Sequence, residues 1–428
     1  MFEIDYKNLK IKNKNITKNK KFTTVNITGD WAPIIDDISD LMIKKKQKYY
    51  GNLLEYFKKG DLNITNLETV IDVKSRAFNK NALRFINKPQ ILSSLKSINT
   101  NLVCMANNHI MDNGEIGLKN NIKYLKKYKI NYVGADISHK QIYKPFLFKK
   151  NNQKIAVINT SEGEEANEKY NNNVGSSDIE SYKVIDQIRW SKSNGYLTIL
   201  VVHAGVEYIP FPPPYIKDIY KNFVDEGVDL VVGHHPHVSQ GFEIYKNVPI
   251  FYSVGNFTMW KKNLRKNCYN SFFLNMNIQN NKLSEINLIP FRINKDFLDL
   301  TSKQEFSKKI FELNCFLPKS DKIWKAYLNR VNSKGSFFSE QLSFFYNYEK
   351  YVNKQVNKFT NLSKKYSDLN YIKNEFQDNS NYNYILDKWQ IKNNINILSI
   401  FKNIFNPFYQ VLFIFKKVLK KLKVKIYR

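Results

Sequence analysis

Five short apolar segments of this 428-residue chain each run straight into acids, amides or imidazoles. Phe22–Thr28 is followed by Gly29-Asp30, and Leu62–Thr65 by Asn66-Leu67-Glu68. Leu102–Met105 leads to Ala106-Asn107-Asn108-His109, with Asp112 and Gly114 just beyond. Leu197–Val202 ends at His203-Ala204-Gly205, and Leu230–Val232 at Gly233-His234-His235-Pro236-His237. Three imidazoles within four residues are rarely a packing feature. Imidazole and carboxylate together suit divalent transition metals, and no thiolate is offered with them. His235 and His237, set apart by a rigid proline, can present two rings from one turn. Asp30 and Glu68 add hard anionic oxygens and Asn108 a neutral carbonyl. That inventory can hold two cations about 4 Å apart, the arrangement that activates a water and clamps a phosphoester.

Something must bring these residues together. The segments before them are short and rich in β-branched residues, as buried strands are. Lys154–Asn159 is a sixth of the kind. Between them lie helical patterns, such as Glu115–Tyr128 with Leu118, Ile122 and Leu125 at i, i+4 and i+7. Strands separated by helices imply a mainly parallel, buried sheet, and ligands of such sheets collect at the carboxyl ends of strands. Gly241–Tyr245, Pro249–Ser253, Ser271–Asn277 and Leu283–Pro290 read as successive antiparallel strands, forming a second sheet or an edge extension. Pro210-Phe211-Pro212-Pro213-Pro214 reads as a rigid loop at the crevice rim, and equally as a peptide-docking segment.

The composition is lopsided along the chain. All six histidines precede position 240, and fourteen of the fifteen glycines lie at or before Gly255. The main domain is therefore expected over about 22–295, after a basic arm at 1–21, with a mostly helical module over 296–428. The last 28 residues, from Phe401, carry eight Lys or Arg and no acid, with an apolar stripe of Phe405, Phe408, Leu412, Phe415 and Val418. Such a tail (401–428) suits an anionic membrane surface, and equally a helix packed on its own domain or on a partner.

Bulk properties exclude several classes. The chain is 43% hydrophobic and 14% aromatic, ample for a core, so wholesale disorder is excluded. The three cysteines, Cys104, Cys268 and Cys315, form no CxxC pair, which argues against a thiolate zinc site or a disulfide framework. The first 21 residues hold no apolar run of signal-peptide length, and no stretch approaches the length of a membrane-spanning helix. The expected location is cytoplasmic, peripheral on the inner membrane face. The net charge of +29 calls for an anionic partner without choosing one. No nucleic-acid-binding motif accompanies it, so nucleic acid is not expected.

The order of motifs resembles the CapA family of capsule and poly-γ-glutamate synthesis proteins, relatives of calcineurin-like metallophosphoesterases. The matching pieces are Gly29-Asp30, Asn66-Leu67-Glu68, Ala106 to His109 with Asp112 and Gly114, His203-Ala204-Gly205-Val206-Glu207-Tyr208, Gly233 to Val238 with Gln240-Gly241, and Ser253-Val254-Gly255-Asn256-Phe257. They cover about residues 24–260. The resemblance implies a four-layer α/β/β/α sandwich of metallophosphoesterase type. It implies metal ligands at Asp30, Glu68, Asn108, His203, His235 and His237, for two divalent ions of Mn, Fe or Zn. It implies His109, with Asp112, as the general acid that protonates the leaving alkoxide. Asn66, Asn107, His234 and Glu207 would face the substrate, a phosphoester or capsular polymer, with Asn66, His234 and Asp112 alternatively orienting the ligands. One departure stands out. The wider phosphoesterase pattern has Asp-x-His after the first strand, where this chain has Asp30-Trp31-Ala32.

Two functions compete. One is a metal-dependent hydrolase in surface-polymer production. The other is a non-catalytic, membrane-peripheral assembly factor that binds an anionic polymer or partner, which the missing ligand at Ala32 and the positive charge would suit.

Overall fold

The computed structural model describes residues 1–16, 21–33, 36–73, 84–260, 266–321 and 324. The tail 401–428, and most of the expected helical module, lie outside the described residues.

Two large sheets carry the domain. In the first, Thr23–Trp31, Leu62–Leu67, Leu102–Cys104 and Asn131–Val133 run parallel in that order. The antiparallel hairpin Asn270–Gln279 and Lys282–Ile293 extends it on the other side of Thr23–Trp31. In the second sheet, Gln153–Ser161, Leu197–His203, Leu230–His234 and Val248–Phe251 run parallel, with Phe146–Lys150 and Phe242–Tyr245 antiparallel at the edges. The antiparallel segments expected from sequence thus divide between the sheets.

Alternation along the strands explains the layering. Val25, Ile27, Leu62 and Ile64 of the first sheet share one core with Ile155, Val157, Ile199, Val201, Leu230 and Val232 of the second. The two sheets therefore pack face to face through one set of alternate residues. On the outer face of the first sheet, Trp31, Leu67, Val103 and Met105 pack against Tyr49, Tyr50, Leu53, Phe57, Leu95, Leu118, Ile122 and Leu125 from its helices. Helices Tyr182–Ser193 and Pro214–Asp225 lie against the second sheet. This is the four-layer α/β/β/α sandwich.

The compact unit runs from Met1 to Ser320, wider on both sides than 22–295. The expected basic arm is instead a hairpin, Phe2–Asp5 with Lys10–Asn13, whose second strand pairs with Lys282–Ile293 and places Leu9 and Ile11 in the core between the sheets. At the other end, Leu298–Leu300 adds a strand, and helix Lys303–Phe316 buries Phe306, Ile310 and Leu313 in that same core. Each segment hides apolar side chains that the domain alone would leave exposed.

Candidate metal centre

Local backbone features aim the ligands. Asp30 is the next-to-last residue of the strand Thr23–Trp31 and follows a register break, where Ile27 pairs with Ile64 but Asp30 pairs with Asn66. The extra residue is a bulge, which re-aims the side chain that follows it. Gly29 is required there, because an added Cβ would lie 1.9 Å from the Gly255 carbonyl oxygen. The Asp30 N–H donates to that same carbonyl at 3.1 Å, and Phe257 N–H donates back to the Asp30 carbonyl at 2.8 Å. On the second sheet, parallel pairing sets His203 level with Ser161 and His234. His235 and His237 follow at once, both with positive φ (94° and 58°), an unfavourable conformation for non-glycine residues.

Six of the expected ligands converge. Asp30 Oδ2 lies 3.2 Å from His237 Nδ1, and Glu68 Oε1 lies 3.6 Å from His237 Nε2. The same Glu68 oxygen is 3.5 Å from His203 Nε2, which is 3.1 Å from both Asn108 Oδ1 and His235 Nδ1. All six residues are buried, with Asp30 and Glu68 fully enclosed. Ligand atoms of Glu68, His203 and His235 lie within 4.8 Å of one another, as do those of Asp30, Glu68 and His237. Glu207, half-buried, does the same with His235 and His237.

The electrostatics follow from burying this set. For His203, burial and then the neighbouring His235, His237, His234 and His109 hold the pKa well below the usual imidazole value. His203 is therefore neutral, the form a cation binds. Burial also disfavours charge on His237, but Glu68, Asp30 and Glu207 outweigh it and raise its pKa to about 10. Burial pushes the Asp30 carboxyl up; its bonds to His237 and Asn66 and the charge of His234 and His237 more than reverse this, leaving it below the ordinary carboxylate value. In the protein alone, a proton on His237 balances buried carboxylates. A divalent ion can take over that charge, so the donor set fits divalent metal.

The remaining expected residues fall into two groups. His109 and Asp112 form a dyad, Nδ1 to Oδ2 at 2.7 Å. The Phe85 N–H donates to the same Asp112 oxygen at 2.7 Å, and the Phe85 ring stacks on His109 at 4.0 Å. Three more of the expected site residues, Asn66, Asn107 and His234, hold neighbouring groups in place. Asn66 Nδ2 donates to Asp30 Oδ1 at 2.7 Å and lies 3.1 Å from His203 Nδ1. Asn107 donates to the Leu67 carbonyl at 2.8 Å and accepts from His109 N–H at 3.0 Å, which shapes the turn. His234 Nε2 donates to the Thr28 carbonyl at 2.9 Å, tying the two sheets together in the interior. Each is buried, as are the proposed ligands and His109. His139, read as surface, lies apart, 2.7 Å from Lys183 Nζ.

Sequence reasoning missed three bracing residues. Asn256 Oδ1 lies 2.9 Å from His237 Nδ1; it stood inside the Ser253–Phe257 motif. Glu162 Oε2 accepts from Gly205 N–H at 2.8 Å, and its own N–H donates to the His203 carbonyl at 3.2 Å. It follows a strand just as the recognised residues do, and the same rule would have found it. Asn159 crosses between the sheets, accepting from Ala106 N–H at 2.7 Å and donating to the Val201 carbonyl at 3.1 Å.

Imidazoles, carboxylates and an amide, gathered at the carboxyl ends of strands from two face-packed sheets, define a domain of the metallophosphoesterase-like class. Within that class the chain belongs to the bacterial capsule synthesis protein family PGA_cap, whose model matches residues 24–260. It is 30% identical over 216 residues to the capsule biosynthesis protein CapA of Bacillus anthracis, covering 49% of this chain and 53% of that one. It is 32% identical over 167 residues to the PGA biosynthesis protein CapA of Bacillus subtilis strain 168, covering 38% and 43%. A probable polyglutamine synthesis accessory protein of Mycobacterium tuberculosis is 22% identical over 209 residues, covering 46% and 55%. The chain thus spans about half the length of the curated relatives it matches. Among solved structures, a hypothetical protein from Thermus thermophilus aligns at a TM-score of 0.41 with 12% identity, over 64% of this chain and 100% of that one. Among the described residues, no helix is long and apolar enough to cross a membrane.

Proposed function

We propose that the domain is a metal-dependent hydrolase of phosphoester type that acts on an anionic substrate, a phosphoester or a capsular polymer, in surface-polymer production. One observation carries this reading: six potential ligands from five separate chain segments meet in one buried cluster. Two divalent ions, of Mn, Fe or Zn, would be held by Asp30, Glu68, Asn108, His203, His235 and His237. Bound there, such ions supply an activated water and neutralise the oxygens of an in-line displacement.

The chain's own residues do the rest. Asn66 holds the Asp30 carboxylate and the His203 ring in place, the work outer residues do at metal sites. Asp112 grips His109 Nδ1, so Nε2 is the atom that delivers a proton to the leaving alkoxide. Phe85 fixes both partners of that dyad, so the ring cannot turn away. The relatives' names, which speak of capsule and PGA biosynthesis, support the biological setting. The test is metal analysis of the purified protein with phosphodiesterase and phosphomonoesterase assays under added Mn²⁺. Absence of both bound metal and metal-dependent turnover would reject the reading.

The second reading, a non-catalytic assembly factor, draws on Ala32, which is fully buried and offers no donor beside Asp30. A membrane-peripheral, cytoplasmic placement through 401–428 belongs to both readings as a proposal. Sedimentation with anionic vesicles, with and without those residues, tests it; equal binding would reject it.

A further inference from the structure

Glu207 differs from the other carboxylates at the centre. Asp30 and Glu68 come from the first sheet and are fully enclosed, whereas Glu207 is half-buried on the loop that follows the strand Leu197–His203. One of its oxygens lies within 4.8 Å of a ring nitrogen of His235 and one of His237, which themselves lie that close together. We propose that Glu207 is a cation ligand, sharing His235 and His237, and that it supplies the donor missing at Ala32. This rests on reading the centre as a metal site. It replaces the substrate contact expected for Glu207 with a place in the coordination set.

The loop is built to hold this position. Tyr208 N–H donates to the Pro236 carbonyl, between the two histidines, at 2.7 Å. Gln240 Nε2 donates to the Ile209 carbonyl at 2.8 Å. The Tyr208 ring lies 5.7 Å from that of His237. Glu162 fastens the start of the loop through Gly205 N–H at 2.8 Å. Strain collects at the same place: Tyr208, His235 and His237 have φ of 67°, 94° and 58°. Non-glycine residues held in such conformations are strained and persist where the surroundings over-determine them. Three of them bring one carboxylate and two imidazoles together.

The chemistry supports the assignment. Asp30, Glu68 and His237 offer three donors to one cation position, and Glu68 is shared with the His203–His235 position. Divalent ions of the Mn, Fe and Zn type take four or more ligands. Ala32 is fully enclosed and contributes none. Glu207 adds a hard oxygen beside the same imidazoles and lowers the net charge at a position that must hold a doubly charged ion.

The experiment titrates Mn²⁺ into chelator-treated full-length protein by calorimetry, with metal content measured after loading. Wild type and His139→Ala should bind alike. Glu207→Gln should lose one equivalent, or bind it roughly tenfold or more weakly. Glu207→Asp keeps the charge and the fold but moves the oxygens, so its Co²⁺-loaded visible spectrum should shift from that of wild type. Unchanged Mn²⁺ stoichiometry and affinity in Glu207→Gln would overturn the inference and leave the metal reading standing, as would an unshifted Co²⁺ spectrum in Glu207→Asp. If wild type takes up no Mn²⁺, the metal reading itself falls, and this assignment falls with it.

Discussion

Asp30 Oδ2 and His237 Nδ1 lie 3.2 Å apart, one at the end of a strand in the first sheet and the other on a turn beyond a strand of the second. Neither position has meaning without the other. The centre exists because two separately paired sheets stack with their carboxyl ends on the same side.

The imidazoles should therefore control metal content. His235→Ala and His237→Ala each remove a proposed ligand and should weaken metal binding by about an order of magnitude or more. His139→Ala, whose ring meets Lys183 and Glu168 instead, should keep the wild-type value. Elemental analysis of the three purified variants decides it; equal metal in all three contradicts the site.

Metal should also stabilise the fold. A ligand that binds only the native state at about 100 times its Kd adds about 2.7 kcal/mol. Thermal unfolding with Mn²⁺ should therefore occur well above that with chelator. A melting curve indifferent to both would place no cation in the interior.

The His109–Asp112 dyad makes a prediction about leaving groups. Loss of general-acid help typically costs roughly 10²–10⁴ in rate. His109→Ala should lower kcat by that amount on an alkyl phosphoester and far less on a nitrophenyl ester, whose leaving group needs no proton. Asp112→Asn should act in the same direction. A uniform loss on both substrates would assign the dyad to structure.

Gly29→Ala tests the bulge. Its Cβ would sit 1.9 Å from the Gly255 carbonyl oxygen, so the backbone that aims Asp30 must move. The variant should lose about 3 kcal/mol or more in urea unfolding and, on the metal reading, its capacity to hold metal. A cost near zero would show that this contact yields easily.

Lys309 predicts a pH dependence. Burial lowers its pKa to about 8, with Cys268 opposing more weakly, and its Nζ has no hydrogen-bond partner among the described residues. In the unfolded chain it titrates near 10.5. Between these values the unfolded state binds more protons, so the contribution of Lys309 to stability rises with pH across that window. Below about 8 the burial penalty is full and constant. Lys309→Met should be the more stable protein at neutral pH, and its advantage should shrink as pH rises above 8. Denaturant titrations of both proteins from pH 7 to 9.5 check the sign.

The chemistry was more legible in the sequence than the architecture around it. Apolar runs ending in polar clusters mark strand ends because a buried strand must stop where its polar ligands begin, and all six proposed ligands were visible that way. Pairing was not. Nothing in the sequence of Asn270–Gln279 says that it joins Thr23–Trp31 rather than the second sheet, since that choice is made by contacts distant along the chain. The lysine-rich start read as an arm because its charges outnumber the few apolar residues, Leu9 and Ile11, that dock it. The carbonyls that His234 and Asn107 bond were not legible either, because residue type alone does not fix a side chain's partner.

The division of ligands between the sheets has a mechanical consequence. Asp30, Glu68 and Asn108 hang from one slab, and His203, His235 and His237 from the other. Any ion they grip is a rivet across a largely greasy seam, added to the few polar stitches of His234 and Asn159. Stripping it should let the slabs slide, so that amide exchange quickens in the central strands far from any solvent-facing edge, and the capacity to react and the rigidity of the sandwich would be lost as one.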